Sequence, residues 1–99
     1  MPKSKPQVAI RFNALDDLRR LPGNIRRRLI VEMDRLEEDP RPGNSKCLTI
    51  KNEEREIRRL RIDRWRVVYW VRDEQPIVFA IRKRPPYDYE DLPDLLKGL

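Results

Sequence analysis

The stretch "RLRIDRWRVVYW", residues 59–70, limits this chain more than any other. β-branched and aromatic residues favour the pleated surface of a sheet. Here they are interleaved with four arginines, Arg59, Arg61, Arg64 and Arg66. In a strand, successive side chains point to opposite faces. Leu60 and Ile62 therefore face a core, while Arg59 and Arg61 stand on the other side. Ile57 is out of phase with Leu60, which predicts a β-bulge near Arg58.

The segments upstream supply a layer to cover one face. Val8, Ile10 and Phe12 alternate at period two and predict a strand over 8–12. Asn13 is a candidate helix cap, with Asp16 and Asp17 placed in the first turn of that helix. Leu15, Leu18 and Leu21 give it an apolar stripe. Pro22-Gly23 interrupts the pattern. A second helix is predicted over about 24–38, with Asn24 as a possible cap. Ile25, Leu29, Met33 and Leu36 line one of its faces. Arg26, Arg27 and Arg28 face elsewhere, as a solvated surface or as ligand contacts. Pro40 and Pro42 stop the helix.

Strands are predicted over 46–50, 56–62, 65–72 and 76–83, with 72–76 connecting the last two. Ile77, Phe79 and Ile81 are expected on one face. Arg82 and Arg84 are expected on the other, with Val78 and Ala80. Pro93 suits the first position of a short terminal helix. The expected fold class is α+β. Two N-terminal helices pack on one face of a small twisted antiparallel sheet, followed by a short helical tail. Residues 1–7 read as a flexible arm and 8–99 as a single domain. The opposite face of the sheet has no evident cover in this reading.

Composition narrows the chemistry. The chain has 99 residues, 40% of them charged, with net charge +6 and pI ≈ 9.9. Residues 1–84 carry the basic excess, while 85–99 hold one lysine against four acidic residues. A basic surface attracts phosphate-rich partners. Cys47 is alone, so an intramolecular disulfide is impossible. The chain has no histidine, which removes conventional zinc sites and Ser-His-Asp or Cys-His catalysis. No apolar run reaches membrane-spanning length. A soluble cytoplasmic protein is the expectation.

The arginine-rich face admits two readings. It is a solubilising surface, or it binds phosphate. Like charges opposite each other repel, and the planar guanidinium fork matches phosphate, so phosphate binding is the favoured reading. Tyr87 and Tyr89 follow Arg84. They are placed to stack on nucleobases, or one of them packs the tail onto the sheet.

These residues carry a resemblance. "RLRIDRWRVVYWV", then a central strand and "RKRPPYDY", preceded by "IRFNALDDLRRLP" and "IRRRLIVEMDRLEEDPRPGNSKCL", resemble the RelE/ParE superfamily of bacterial and archaeal toxins over about residues 8–90. RelE-like members cut mRNA in the ribosomal decoding site, and ParE-like members inhibit DNA gyrase. The resemblance implies a metal- and cofactor-independent endoribonuclease of a type II toxin–antitoxin system. The RNA 2′-hydroxyl would attack the adjacent phosphate. Arg61, Arg66, Arg84 and Tyr87 match catalytic positions, with Tyr87 stacking or taking a proton at a lowered pKa. Arg59, Arg82, Lys83 and Tyr89 would contact RNA. Arg82 and Tyr89 are the alternative matches for Arg84 and Tyr87. The implied partners are an acidic antitoxin and mRNA on the ribosome. The alternatives are gyrase inhibition without catalysis, or an RNA-binding domain.

Three departures from the family pattern stand out. Arginine occupies positions 59 and 61, where many relatives have lysine, and it cannot act as a base. The family histidine is absent from "RKR". Pro85-Pro86 alters the path to the tyrosines.

Overall fold

In the computed structural model, residues 7–99 are described. Most of the arm expected over 1–7 lies outside them. Gln7 itself is held, its carbonyl accepting from Gln75 Nε2 at 3.0 Å.

The elements run β1 (Ala9–Ile10), α1 (Phe12–Arg19), α2 (Gly23–Asp34), a 3-10 turn (Arg35–Glu37), β2 (Ser45–Cys47), β3 (Ile57–Ile62), β4 (Trp65–Arg72), β5 (Gln75–Lys83) and α3 (Leu92–Lys97). The sheet order is β1-β5-β4-β3-β2. β2 to β5 form an antiparallel meander, whereas β1 joins β5 in parallel. The α+β class holds, with a mixed sheet in place of an antiparallel one. Among the described residues, no helix is long and apolar enough to cross a membrane.

Both hairpins close on two residues. Ile62 pairs with Trp65 around Asp63-Arg64, and Arg72 with Gln75 around Asp73-Glu74. Asp63, Asp73 and Glu74 have φ of 56, 47 and 67°. Positive φ at both central positions, as at Asp73-Glu74, matches the twist of the flanking strands. Arg41 reaches this turn and grips Glu74 and Glu56 through four hydrogen bonds of 2.8–2.9 Å.

Capping differs from expectation. α1 starts at Phe12, so the first strand stops at Ile10 and Phe12 is 87% exposed. Asn13 does not cap; its Nδ2 donates to the Phe79 carbonyl at 2.6 Å. Asp16 and Asp17 fall beyond the first turn. Pro22, not Asn24, takes the N-cap position of α2.

α1 and α2 cover one face of the sheet. Ala14, Leu18, Leu29, Met33 and Leu36 pack there on Leu60, Ile62, Val67, Tyr69, Val71, Val78 and Ile81. Tyr69 is fully buried, and its hydroxyl is satisfied by the Pro40 carbonyl at 2.7 Å.

The other face is covered after all. Leu92 and Leu96 of α3 pack on Ile57, Val68, Phe79 and Ala80, with Trp70, Tyr87 and Tyr89 at the margin. This roof removes the need for a bulge near Arg58. β3 pairs with β4 without interruption from Ile57–Trp70 to Ile62–Trp65. Ile57 and Leu60 face opposite ways because each face has its own core.

The irregularity lies in β5. Val68 pairs with Ala80 but Tyr69 pairs with Val78, leaving Phe79 as an extra residue. The alternation expected for Ile77, Phe79 and Ile81 is therefore broken. Val78 and Ile81 face the helices, and Phe79 and Ala80 face the tail.

The tail's apolar contacts set a testable cost. Leu96→Ala is expected to destabilise the fold by about 2–5 kcal/mol, the range for truncating a buried leucine. Lys97→Ala, one residue on and exposed, is expected to stay within about 0.5 kcal/mol. Urea unfolding of the two variants checks this; equal midpoints would show that α3 adds no core.

Candidate nucleic-acid interface

The continuous register of β3 and β4 and the bulge in β5 produce one row of side chains on the tail-side face. Arg61 is paired with Arg66, and Arg66 with Arg82. One register step away from the hairpin turn lies Lys46 beside Arg59, which is followed by Val68 and Ala80. The half of the face near the Asp63-Arg64 turn is thus cationic, and the half beneath α3 is apolar.

Two unit charges about 5 Å apart near a protein surface repel by up to roughly 3 kcal/mol. An exposed ion pair returns only about 0–1 kcal/mol. The row relieves this strain unevenly. Arg82 is neutralised: its guanidinium pairs with Asp17 of α1 and with Asp91 at 3.3 Å. Arg58 pairs with Glu56 at 3.2 Å and lies on the helix side. Among the described residues, no carboxylate lies within ion-pair distance of Lys46, Arg59, Arg61, Arg66 or Arg84.

Among the described residues, the side-chain hydrogen bonds of Arg59 and Arg66 and the ring contact of Arg84 are to neutral groups. Arg66 Nη1 donates to the carbonyls of Asp63 (2.9 Å) and Trp65 (3.0 Å), which fixes its fork against the hairpin turn. Its Nε is buried with no partner. Arg59 Nη1 donates to the Asn44 carbonyl at 3.3 Å. Arg61 is exposed. Arg84 lies just past the end of β5, over the ring of Tyr89 at 5.3 Å. Lys46, Arg59, Arg84 and Tyr89 share one concavity with Cys47, Leu48 and Thr49.

The two tail tyrosines separate in role. Their rings meet edge to face at 4.7 Å. The Tyr87 hydroxyl donates to Asp91 Oδ1 at 2.6 Å, and Arg82 sits 5.7 Å from its ring. Burial, then the neighbouring Asp91 carboxylate, pushes the Tyr87 pKa well up; Arg82 opposes this only weakly. This is the reverse of the lowered pKa expected for Tyr87 among cations, because burial and Asp91 outweigh Arg82. Tyr87 opens onto a concavity lined by Arg82 and Lys83 but also by Asp88, Glu90 and Asp91, so carboxylates outnumber cations there. Tyr89, at φ 65°, has a buried hydroxyl without a partner.

Of the residues singled out from sequence, Arg59, Arg61, Arg66, Arg84 and Tyr89 thus stand on or beside the unneutralised surface. Arg82 is in the row but neutralised. Lys83 is in register with Trp65 at the end of β5 and borders both the helix-side cleft and the concavity of Tyr87. Sequence reasoning missed Lys46, whose strand it began one residue late. It also missed the pairing of Asp17 and Asp91 with Arg82, one 65 residues away and the other nine.

A model of the family described as ParE toxin of the type II toxin–antitoxin system, parDE, matches residues 8–84. No curated protein sequence matches the chain. Among solved structures, the archaeal RelE–RelB complex from Pyrococcus horikoshii OT3 is similar at 24% identity, covering 84% of this chain and 99% of that one, with a TM-score of 0.71. An E. coli RelE toxin in the free state, with two arginines changed to alanine, is 22% identical over 96% of this chain and 98% of that one, at a TM-score of 0.65. The RelB–RelE complex from Methanococcus jannaschii gives 22% identity over 83% and 98%, at 0.63. At such identities the likeness fixes the fold, which is that of RelE toxins.

The raised Tyr87 pKa has a consequence for stability. The unfolded phenol ionises near about 10. Below that pH both states are protonated and the contribution is fully present. Above it the unfolded chain releases a proton that the folded chain retains, so stability falls with rising pH. Denaturation midpoints should lose less between pH 10 and 11 in Tyr87→Phe than in the parent. A loss of stability by the parent between pH 7 and 9 that Tyr87→Phe abolishes would contradict the assignment.

Proposed function

The chain belongs to the ParE toxin family of type II toxin–antitoxin systems, and on that premise we propose that it is a RelE-type endoribonuclease cleaving mRNA on the ribosome. The observation that carries this reading is the set of unneutralised cations, Lys46, Arg59, Arg61, Arg66 and Arg84, gathered on one sheet face beside Tyr89. Arginine forks without carboxylate partners suit phosphate oxygens.

In the proposed reaction the RNA 2′-hydroxyl attacks the adjacent phosphorus and the 5′-oxygen of the next nucleotide leaves. Arg61, Arg66 and Arg84 stabilise the negative charge that builds on the phosphoryl oxygens. Such preorganised charge is usually the largest catalytic contribution. Proton removal is not assigned to Tyr87, whose hydroxyl is committed to Asp91. Arginine does not serve as a base either. The 2′-hydroxyl proton passes to solvent water and the leaving 5′-oxygen takes a proton from water, while the protein contributes charge stabilisation and the ribosome-bound message orients the phosphate. Tyr89, held under Arg84, stacks on a base.

The partner in the cell is an acidic antitoxin. RelE from P. horikoshii and from M. jannaschii is seen in complex with RelB. Here a matching segment folds over the exposed cations, losing entropy but covering a large surface. Steering by opposite charge makes the association fast and salt-sensitive.

A second reading, inhibition of gyrase by binding, is favoured by one observation: the matching family model is the ParE one. Ribosomes stalled with an empty decoding site separate the two. Mapped mRNA ends should show cleavage when the protein is added. Intact message with arrested supercoiling by gyrase would establish the second reading.

Substitutions locate the site. Arg66→Ala and Arg84→Ala are each expected to lower the cleavage rate by roughly 10²–10³, the usual loss for one preorganised donor to a developing oxyanion. Arg27→Ala, on the exposed surface of α2, should leave it near the parent value. Single-turnover cleavage assays check this, and equal rates for all three would remove the arginine row from the mechanism.

A further inference from the structure

The turn that closes β3 and β4 separates two cationic surfaces. On the tail side are Arg61 and Arg66. On the helix side a cleft is lined by Ile25, Arg28, Leu29, Arg64, Trp65 and Lys83, with Asp63 at its edge. Its volume, about 470 Å³, is larger than the 290 Å³ of the concavity that holds Arg59 and Arg84. We propose that this helix-side cleft is a second RNA-binding site, in which one base of a single strand stacks on Trp65 while Arg64 and Lys83 hold its flanking phosphates.

Three observations support it. First, charge: Arg28 is paired with Asp63 at 2.6 Å, but among the described residues neither Arg64 nor Lys83 has a carboxylate partner. Two open cations therefore border an aromatic wall. Second, shape: Trp65 is only partly buried, packing on the core from its margin and leaving the rest of the residue to line the cleft. A π-face beside cations is the usual platform for an unpaired base. Ile25 and Leu29 supply the apolar floor.

Third, continuity. Arg64, Trp65 and Arg66 are consecutive, and the last two point to opposite faces. Arg84 N–H donates to the Arg64 carbonyl at 2.7 Å, and Lys83 is in register with Trp65. The same short hairpin end thus carries Arg66 and Arg84 towards one face and Trp65 and Lys83 towards the other. A strand whose scissile phosphate lies on the arginine row passes round this turn into the cleft within a few nucleotides. The inference rests on reading that row as a phosphate site, and it extends the bound RNA beyond the bond that is cut.

An acidic peptide is the competing occupant, since it too would seek Arg64 and Lys83. The aromatic wall favours the base, because carboxylates gain nothing from stacking. The test uses the full chain with a single-stranded hexauridylate as one probe and a hexaglutamate peptide as the other. Hexauridylate should change the Trp65 fluorescence, and the change should vanish in Trp65→Leu, which keeps apolar bulk against Ile25. Trp65→Leu should weaken binding about ten-fold. Arg64→Gln combined with Lys83→Gln should lower the slope of log affinity against log salt by about 1.4, at roughly 0.7 per phosphate contact on a single strand. Arg64 is exposed, so Arg64→Gln alone tests the cleft without touching the core; it should lower the slope by about 0.7. No fluorescence change, a change that persists in Trp65→Leu, an unaltered salt slope, or equal displacement by hexaglutamate would each overturn the proposal. The fluorescence does not depend on cleavage. Binding at Trp65 together with intact ribosome-bound message would uphold the cleft and overturn only the endonuclease reading.

Discussion

One extra residue in β5 sets the arrangement of the whole sheet. At Phe79 the alternation of side chains slips by one, so that Val78 and Ile81 both reach the helix layer while Phe79 and Ala80 both reach the tail. Asn13 of α1 binds the carbonyl of the bulged residue at 2.6 Å, tying the irregularity to the first helix. Without the slip, Tyr69 and Val78 would fall out of step on the helix side. Beyond it, Arg82 comes into register with Arg66 and Arg61. A bulge of this kind re-aims the side chains that follow it, and here those side chains belong to the cationic surface.

The sheet then serves two cores and a binding face at once. Its helix side is apolar along most of its length. Its tail side is apolar only under α3, where Ile57, Val68, Phe79 and Ala80 are roofed by Leu92 and Leu96. The remainder is arginine. Leaving Arg59, Arg61, Arg66 and Arg84 without carboxylates costs stability through mutual repulsion. The acidic residues present are spent elsewhere: Arg41 alone engages two glutamates, and Arg82 two aspartates. The basic composition requires that some cations stay unpaired, and the placement of the carboxylates decides that these four are among them.

Much of this was legible in the sequence, and the misses have physical causes. The stripe Leu29, Met33 and Leu36, the β4 boundaries and a short terminal helix at Pro93 follow from periodicity and from that proline, and the structure has them, the helix starting one residue earlier at Leu92. The opposed faces of Arg61 and Ile62 follow from strict alternation. Most of what failed depended on partners distant in sequence. Ile57 looked out of phase because the roof over the second face comes from residues 92–96, far along the chain. Asn13 and Asp17 looked like helix-end residues because their actual acceptor and donor, Phe79 and Arg82, lie over sixty positions away. The resemblance gave the family, but it could not show that Asp91 would hold the Tyr87 hydroxyl.

The tail links burial to charge. Leu92 and Leu96 seat α3 on the sheet, and the same turn delivers Asp91 to Arg82 and Tyr87. Packing and neutralisation are therefore one event: the tail cannot leave the apolar half of the face without also releasing its hold on Arg82. Asp17 would remain, held by α1, so the release is partial. The acidic tail does not dock across the arginine surface at large. Among the described residues its ion pair to the sheet is with Arg82, at the β5 end of the row, and Arg61 and Arg66 at the other end stay open. The charge available to a phosphate is thus fixed by which arginines the tail leaves alone, and Arg84 is kept by the Tyr89 ring, a neutral partner that holds it without cancelling its charge.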